Sequence, residues 1–288
     1  MKKIVSVVLN YISYNDTIKC VDLLKVQTYK NHEIIIVDNG SKNESYNILR
    51  DRYFNDKNVY LLKSNENLGF AKGNNIGINY ARNELKADYV FVVNSDILVK
   101  KTLLSEIIKI NYSGIGVISP TVYTIDGEYQ LPAINTDDIN FEIDKTIKAI
   151  KLAKIINIPI VNLIYDIYLK IKGSGNKNNQ LLLRKKYAIQ GCSFFLTPLF
   201  FKYYNQLFDR TFLYWEEINL IYYLDKVGLG AIIVETSPVI HLESQSVKKL
   251  INRNIKKKKL NYSIESMRES LPLFEMNYKE IKKKYDVK

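Results

Sequence analysis

Cysteine is close to absent from this 288-residue chain. Its two copies, Cys20 and Cys192, stand far apart and form no metal or redox motif, which fits a reducing cytosol. Long hydrophobic runs are missing too. No 18-residue apolar stretch exists to span a bilayer, and the charge-free stretch Ile155–Tyr165 has only 11 residues, Pro159 among them. The opening MKKIVSVVLNY has a basic start and an apolar run but no small-residue cleavage site, so it reads as a first strand, not a signal peptide. There is no internal repeat. The segment NENLGFAKGNNIG lacks the Gly-Lys-Ser/Thr ending of a phosphate-binding P-loop. The basic tail lacks the interleaved aromatics and recognition motif of a nucleic-acid binder, so no nucleic-acid partner is expected.

What is present supports a sizeable core: 47% of residues are apolar, enough for one large α/β domain or a domain with an appendage. The net charge of +12 is uneven, because Lys248–Lys288 holds thirteen Lys and Arg against five Asp and Glu. The first third alternates strand and helix patterns. Apolar or β-branched runs at Ile4–Leu9, Glu33–Val37, Val59–Leu62 and Tyr89–Val93 are separated by helical patterns after Asn15-Asp16 and over Phe70–Ala81. Continuous apolar strands between helices predict an α/β fold with a mostly parallel central sheet flanked by helices. Further strands are expected at Gly116–Tyr123, Ala188, Phe194–Leu196 and Ala231–Val234, and basic helix thereafter.

Ligands of such sheets collect at the carboxyl ends of the strands, where Asn10, Asp38 and Asp96 fall. A second polar cluster, Glu216-Glu217, follows the aromatic run Phe212–Trp215 at the start of an amphipathic helix. One carboxylate fit to hold a metal and another fit to take a proton point to sugar transfer from an activated nucleotide. Each has a plainer reading: Asp38-Asn39-Gly40 is also a turn signal, and the glutamates could only cap a helix.

The segments SVVLNYISYNDT, EIIIVDNGSKNES, NENLGFAKGNNIGINYA, ADYVFVVNSDILV, IQGCSFFLT, FDRTFLYWEEINL and VIHLESQS occur in one order over about residues 3–247. Together they resemble the glycosyltransferase family 2 enzymes, especially the rhamnosyltransferase-like branch of bacterial surface-polysaccharide synthesis. The resemblance implies a GT-A fold over residues 1–247, with a helical insertion at about 135–185 that it does not explain. Residues 248–288 are left as a basic helical extension. It implies inverting, metal-dependent transfer from a nucleotide-sugar donor: dTDP-rhamnose first, a UDP-hexose or N-acetylhexosamine next.

Carried over residue by residue, Asp38 matches the acid that reads the nucleotide base. Asp96 ends the motif that meets a divalent cation, Mn2+ or Mg2+, and His241 matches a late histidine near it. Glu217 stands at the general base and Gly191 at a close backbone approach beside the acceptor. Asn10, Asn67, Gly69, Asn75 and Asn94 fall on the nucleotide side, and Trp215 on the acceptor side. Asn94, Glu217 and Asn219 depart from the family's acids, so Glu216 could share the role of base. The same departures motivate the alternative of a non-catalytic nucleotide-binding or assembly subunit.

Lys145, Lys148, Lys151 and Lys154 recur at helical spacing, with Ile143, Ile147, Ile150 and Ile155 on another face. The helix breaks near Pro159 and resumes toward Lys172. Lysines beside isoleucines suit an anionic membrane surface and a lipid-linked glycan acceptor. The expected place is therefore cytoplasmic, peripheral on the inner face of the cell membrane, although a solvated lysine face packed on the domain would read the same way.

Overall fold

The first strand, IVSVVLN, sends Val5 and Val7 to one hydrophobic core and Ile4 and Val8 to another on the opposite side of the sheet. Its neighbours repeat the division, Ile35 and Val92 going one way and Ile36 and Phe91 the other. Period-two strands covered on both faces need apolar residues at every position, which is why these segments read as unbroken apolar runs.

The structure is a computed structural model that describes residues 1–156, 185–242 and 253–285. In chain order it has β1 (Ile4–Asn10), α1 (Tyr14–Lys25), β2 (His32–Asp38), α2 (Ser45–Tyr53), β3 (Val59–Lys63), α3 (Phe70–Asn83), β4 (Tyr89–Asn94) and β5 (Ile97–Leu98). Then come α4 (Leu103–Ile107), β6 (Ile115–Thr124), β7 (Ile134–Thr136), α5 (Ile139–Ile156), β8 (Tyr187–Ile189), β9 (Ser193–Leu196) and α6 (Pro198–Tyr203). The described chain finishes with α7 (Glu216–Lys226), β10 (Gly230–His241), α8 (Arg253–Ser270), a 3-10 turn at Leu271–Glu275 and α9 (Tyr278–Tyr285). The sheet order is β3-β2-β1-β4-β9-β6-β10-β8-β7, with β5 on β10.

The fold is α/β, as expected, but its sheet is mixed. β1, β2, β3 and β4 pair in parallel, whereas β9 runs antiparallel between β4 and β6. SFFL is apolar throughout and buried, so nothing in its composition marks its direction. β10 is also longer than the expected Ala231–Val234. It crosses a register shift between Val234 and Val239, an irregularity that accommodates Pro238, and runs on to His241. There His241 pairs with Ile97.

α5 buries Ile139, Ile143 and Ile150, so the expected isoleucine face is already covered by the domain. Ile155 is exposed instead, with Phe141 and Leu152. The helical break near Pro159, its resumption toward Lys172 and the rest of the insertion lie outside the described residues. The basic C-terminal helices dock as well. Leu273 and Ile281 are fully buried in the core that holds α7, Tyr222 donates its hydroxyl to the Phe274 carbonyl at 2.6 Å, and Ser266 donates to the Leu213 carbonyl at 2.7 Å.

Candidate functional site

Three corners at the strand ends form the site. At the first, β1 and β2 end side by side and Asn10 pairs with Asp38. Asn10 Nδ2 donates to Asp38 Oδ2 at 2.7 Å, Thr17 donates to Asn10 Oδ1 at 2.8 Å, and the Ser41 N–H donates to Asp38 Oδ1 at 3.1 Å. Asn39 extends the network, its Nδ2 reaching Asn67 Oδ1 and the Gly69 carbonyl, both at 3.0 Å. Gly69 has φ +83°, and an added Cβ would lie 2.1 Å from the Phe212 carbonyl oxygen, so this wall closes only with glycine there.

The second corner joins residues far apart in sequence. β5 and the end of β10 bring His241 Nε2 to 3.3 Å from Asp96 Oδ2. His241 Nδ1 lies 3.0 Å from Gln130 Oε1, and with its proton on Nδ1 the ring would present the Nε2 lone pair beside Asp96. No group of three or more His, Cys, Asp or Glu that could hold a metal gathers among the described residues. A carboxylate oxygen and a buttressed imidazole nitrogen side by side fit a divalent cation that takes its other ligands from substrate oxygens.

The third corner is the start of α7. Tyr214 and Trp215 adopt φ +70° and +71°, a left-handed pair that bulky residues rarely accept. The kink sets Glu216 and Glu217 in the first turn, where the helix terminus favours their charged forms. Burial works against this and raises both carboxyls, and repulsion from Glu217 raises Glu216 further, to about 8. Glu216 Oε1 is buried without a hydrogen-bond partner among the described residues. Both glutamates line a narrow apolar pocket with Gly191, and only Glu217 of the two also lines a cleft of about 200 Å³.

The loop Gly191-Cys192 ties the second and third corners together. The Asn94 N–H donates to the Cys192 carbonyl at 2.9 Å, which holds the loop to the strand leading into Asp96. One residue earlier, a Cβ on Gly191 would stand 1.8 Å from Glu217 Oε1. The Cys192 thiol reports the arrangement, raised to about 12 by burial first and then by the charges of Asp96 and Glu217.

Residues 4–164 match the model of a known family, described as Glycosyl transferase family 2. This chain belongs to that family. Glycosyltransferase GlyG of Streptococcus pneumoniae is 34% identical to it over 105 residues, 36% of this chain and 34% of GlyG. The low-salt glycan biosynthesis hexosyltransferase Agl10 of Haloferax volcanii is 33% identical over 96 residues, 33% of this chain and 30% of Agl10. The match thus spans about a third of these curated relatives. Among solved structures, S. aureus TarS 1-349 in complex with UDP aligns with a TM-score of 0.54 at 13% identity, over 83% of this chain and 60% of that one. The mannosyltransferase PcManGT from Pyrobaculum calidifontis, in complex with GDP-Man and Mn2+, aligns at 0.54 and 12% identity, over 83% and 56%. At such identities the likeness is one of fold, the GT-A fold.

Within this family 2 fold the structure brings most of the expected residues into the three corners, and it engages Asp38 and Asn75 in hydrogen bonds of the fold itself. Asp38 is fully buried and each of its oxygens accepts a hydrogen bond, so its carboxylate helps to order the corner. Asn75 is buried in α3. Its amide donates to the Leu207 carbonyl and accepts from the Leu207 N–H, both at 2.9 Å, which ties α3 to the chain after α6. Trp215 is buried against Phe274 at 6.0 Å between ring centres and also lines the Glu217 cleft. Sequence reading passed over Gln130, Asn39, Thr17 and Ser41 as site residues. The last three sit inside the quoted motifs, but Gln130 carries no local signal, because only β6 and β10 folding side by side bring its segment to His241.

Proposed function

We propose that this family 2 glycosyltransferase moves a sugar from a nucleoside-diphosphate donor to a hydroxyl of a growing bacterial surface glycan, with inversion at the anomeric carbon. The observation that carries the reading is the short bridge Gly191-Cys192, which sets a carboxylate–imidazole pair on one side and a buried carboxylate on the other. Asp96 and His241 would hold Mn2+ or Mg2+. Such an ion supplies charge stabilisation to the departing diphosphate. The Mn2+ in the PcManGT complex supports a divalent cation. Asn10, Asn39 and Ser41 frame the nucleotide end.

Glu217 takes the proton of the attacking hydroxyl at a carboxylate oxygen. Its place in the cleft favours it over Glu216. The dTDP-rhamnose, UDP-hexose and UDP-N-acetylhexosamine donors follow from the family resemblance, and the UDP complex of TarS supports the uridine donors. No helix among the described residues is long and apolar enough to cross a membrane. Exposed Phe141, Leu152 and Ile155 among the lysines of α5 support docking on an anionic membrane surface that presents a lipid-linked acceptor.

The test has two parts. Thermal shift with nucleotide diphosphates and nucleotide sugars, with and without Mn2+, should show metal-assisted stabilisation, about 2.7 kcal/mol at a hundredfold excess over Kd. Glu217→Gln should then lower turnover ~10²–10⁴-fold while leaving that stabilisation intact. Normal turnover in the variant would reject Glu217 as base, and no nucleotide binding at all would favour a non-catalytic assembly role.

A further inference from the structure

The cleft beside Glu217 has walls that the family motifs do not supply. α5 contributes Glu142 and Thr146, α8 contributes Ser263, and Tyr214 and Trp215 complete the side next to Glu217. Trp215 is 4% exposed, and its Nε1 is buried with no hydrogen-bond partner among the described residues. A buried indole N–H without a partner, beside hydroxyl groups on a cleft wall, is a set of polar groups that the hydroxyls of a sugar ring can meet. The charge of the walls is one-sided. Glu142 and Glu217 both line the cleft, and among the described residues no Lys or Arg does. Lys145 Nζ holds both Glu142 oxygens, at 3.0 and 3.2 Å, but its side chain is 62% exposed and lies outside the lining.

We infer that this cleft is the acceptor subsite and that Glu142 makes it select an acceptor sugar without an acidic group. The inference rests on the reading of Glu217 as the base and adds the chemical class of the acceptor. A uronate or phosphorylated sugar would bring a second anion against two carboxylates in a partly desolvated space. A neutral or amino sugar meets no such penalty. Thr146 donates its hydroxyl to the Glu142 carbonyl at 2.8 Å and so offers the cleft an acceptor, while the Ser263 hydroxyl can donate or accept, which suits the mixed hydrogen-bonding of a carbohydrate.

Trp215 is the only tryptophan of the chain, so its fluorescence reports on this cleft alone. The full chain is titrated with methyl glucoside, methyl glucosaminide and methyl glucuronide in the absence of donor. The first two should give saturable changes, with half-saturation at least about tenfold below that of the glucuronide. Glu142→Gln should bring the glucuronide to within about threefold of the glucoside, an effect that general loosening of α5 would not produce. Equal binding of glucuronide and glucoside, silence of Trp215 toward all three, or unchanged discrimination in Glu142→Gln would each overturn the proposal. Nucleotide-diphosphate binding by the unaltered protein is measured separately by thermal shift. If it holds while the glycoside result fails, only the acceptor assignment falls.

Discussion

Replacing Gly191 with alanine isolates the position of one carboxylate. The added Cβ would lie 1.8 Å from Glu217 Oε1, 2.7 Å from its Cδ and 3.1 Å from its Cγ, so the three nearest atoms it would meet all belong to that side chain. Ordinary contact begins near 3.4 Å, so the carboxylate must retreat by about 1.6 Å through a change of side-chain rotamer. The backbone of β9 and α7 need not move, and the variant should fold with its melting temperature nearly unchanged. Displacing a base by about 1 Å costs roughly a hundredfold in rate, and losing it altogether ~10²–10⁴-fold. We expect kcat of Gly191→Ala to fall at least about a hundredfold, while the KM for donor and its metal-assisted thermal stabilisation stay the same. Steady-state kinetics with a nucleotide-sugar donor reads both quantities. A kcat within threefold of the starting enzyme would show that Glu217 does not act from where it stands. A collapse of donor binding instead would mean that the loop serves the diphosphate and not the base.

Other residues make separate demands. Glu216 is raised from an ordinary 4.5 to about 8 in the folded protein, so it resists ionisation that the unfolded chain permits. Stability from this group is therefore full below pH 4.5 and is lost as pH rises toward about 8. Glu216→Gln should match the original protein at pH 4 and exceed it at pH 8, by roughly 5 kcal/mol at most, in denaturant unfolding followed across pH; a gain confined to low pH would reverse the sign and refute the assignment. Asn75→Ala should strand the Leu207 N–H and carbonyl and lower stability by roughly 2–4 kcal/mol in the same assay. Unchanged stability with weakened donor binding would return Asn75 to the nucleotide.

Much of this was legible before folding was considered. β1, β2 and β4 announce themselves because burial on both faces demands apolar residues without interruption, and their polar ends mark the ligand edge. The direction of β9 was not legible, since SFFL is equally apolar whichever way it runs. The pairing of Asp96 with His241 was legible only through family resemblance, because their meeting depends on a strand that continues past an irregularity at Pro238. The isoleucines of α5 show the opposite failure. Periodicity reveals an apolar stripe but not what covers it, and the domain itself covers Ile143 and Ile150. Glu142 and Ser263 had no local signal, because a cleft between two helices exists only once both have docked.

That last dependence has a consequence for the order in which the molecule becomes competent. Glu217 lies upstream of β10, yet the helix that brings Ser263 to it, and the Phe274 ring that braces Trp215, are made more than forty residues later. A chain emerging from the ribosome can order the Asn10–Asp38 corner long before that wall arrives. A premature stop before α8 would therefore leave the far side of the cleft open to water and strip Leu273 and Ile281 from the core that holds α7, so the base and its wall are completed together and last.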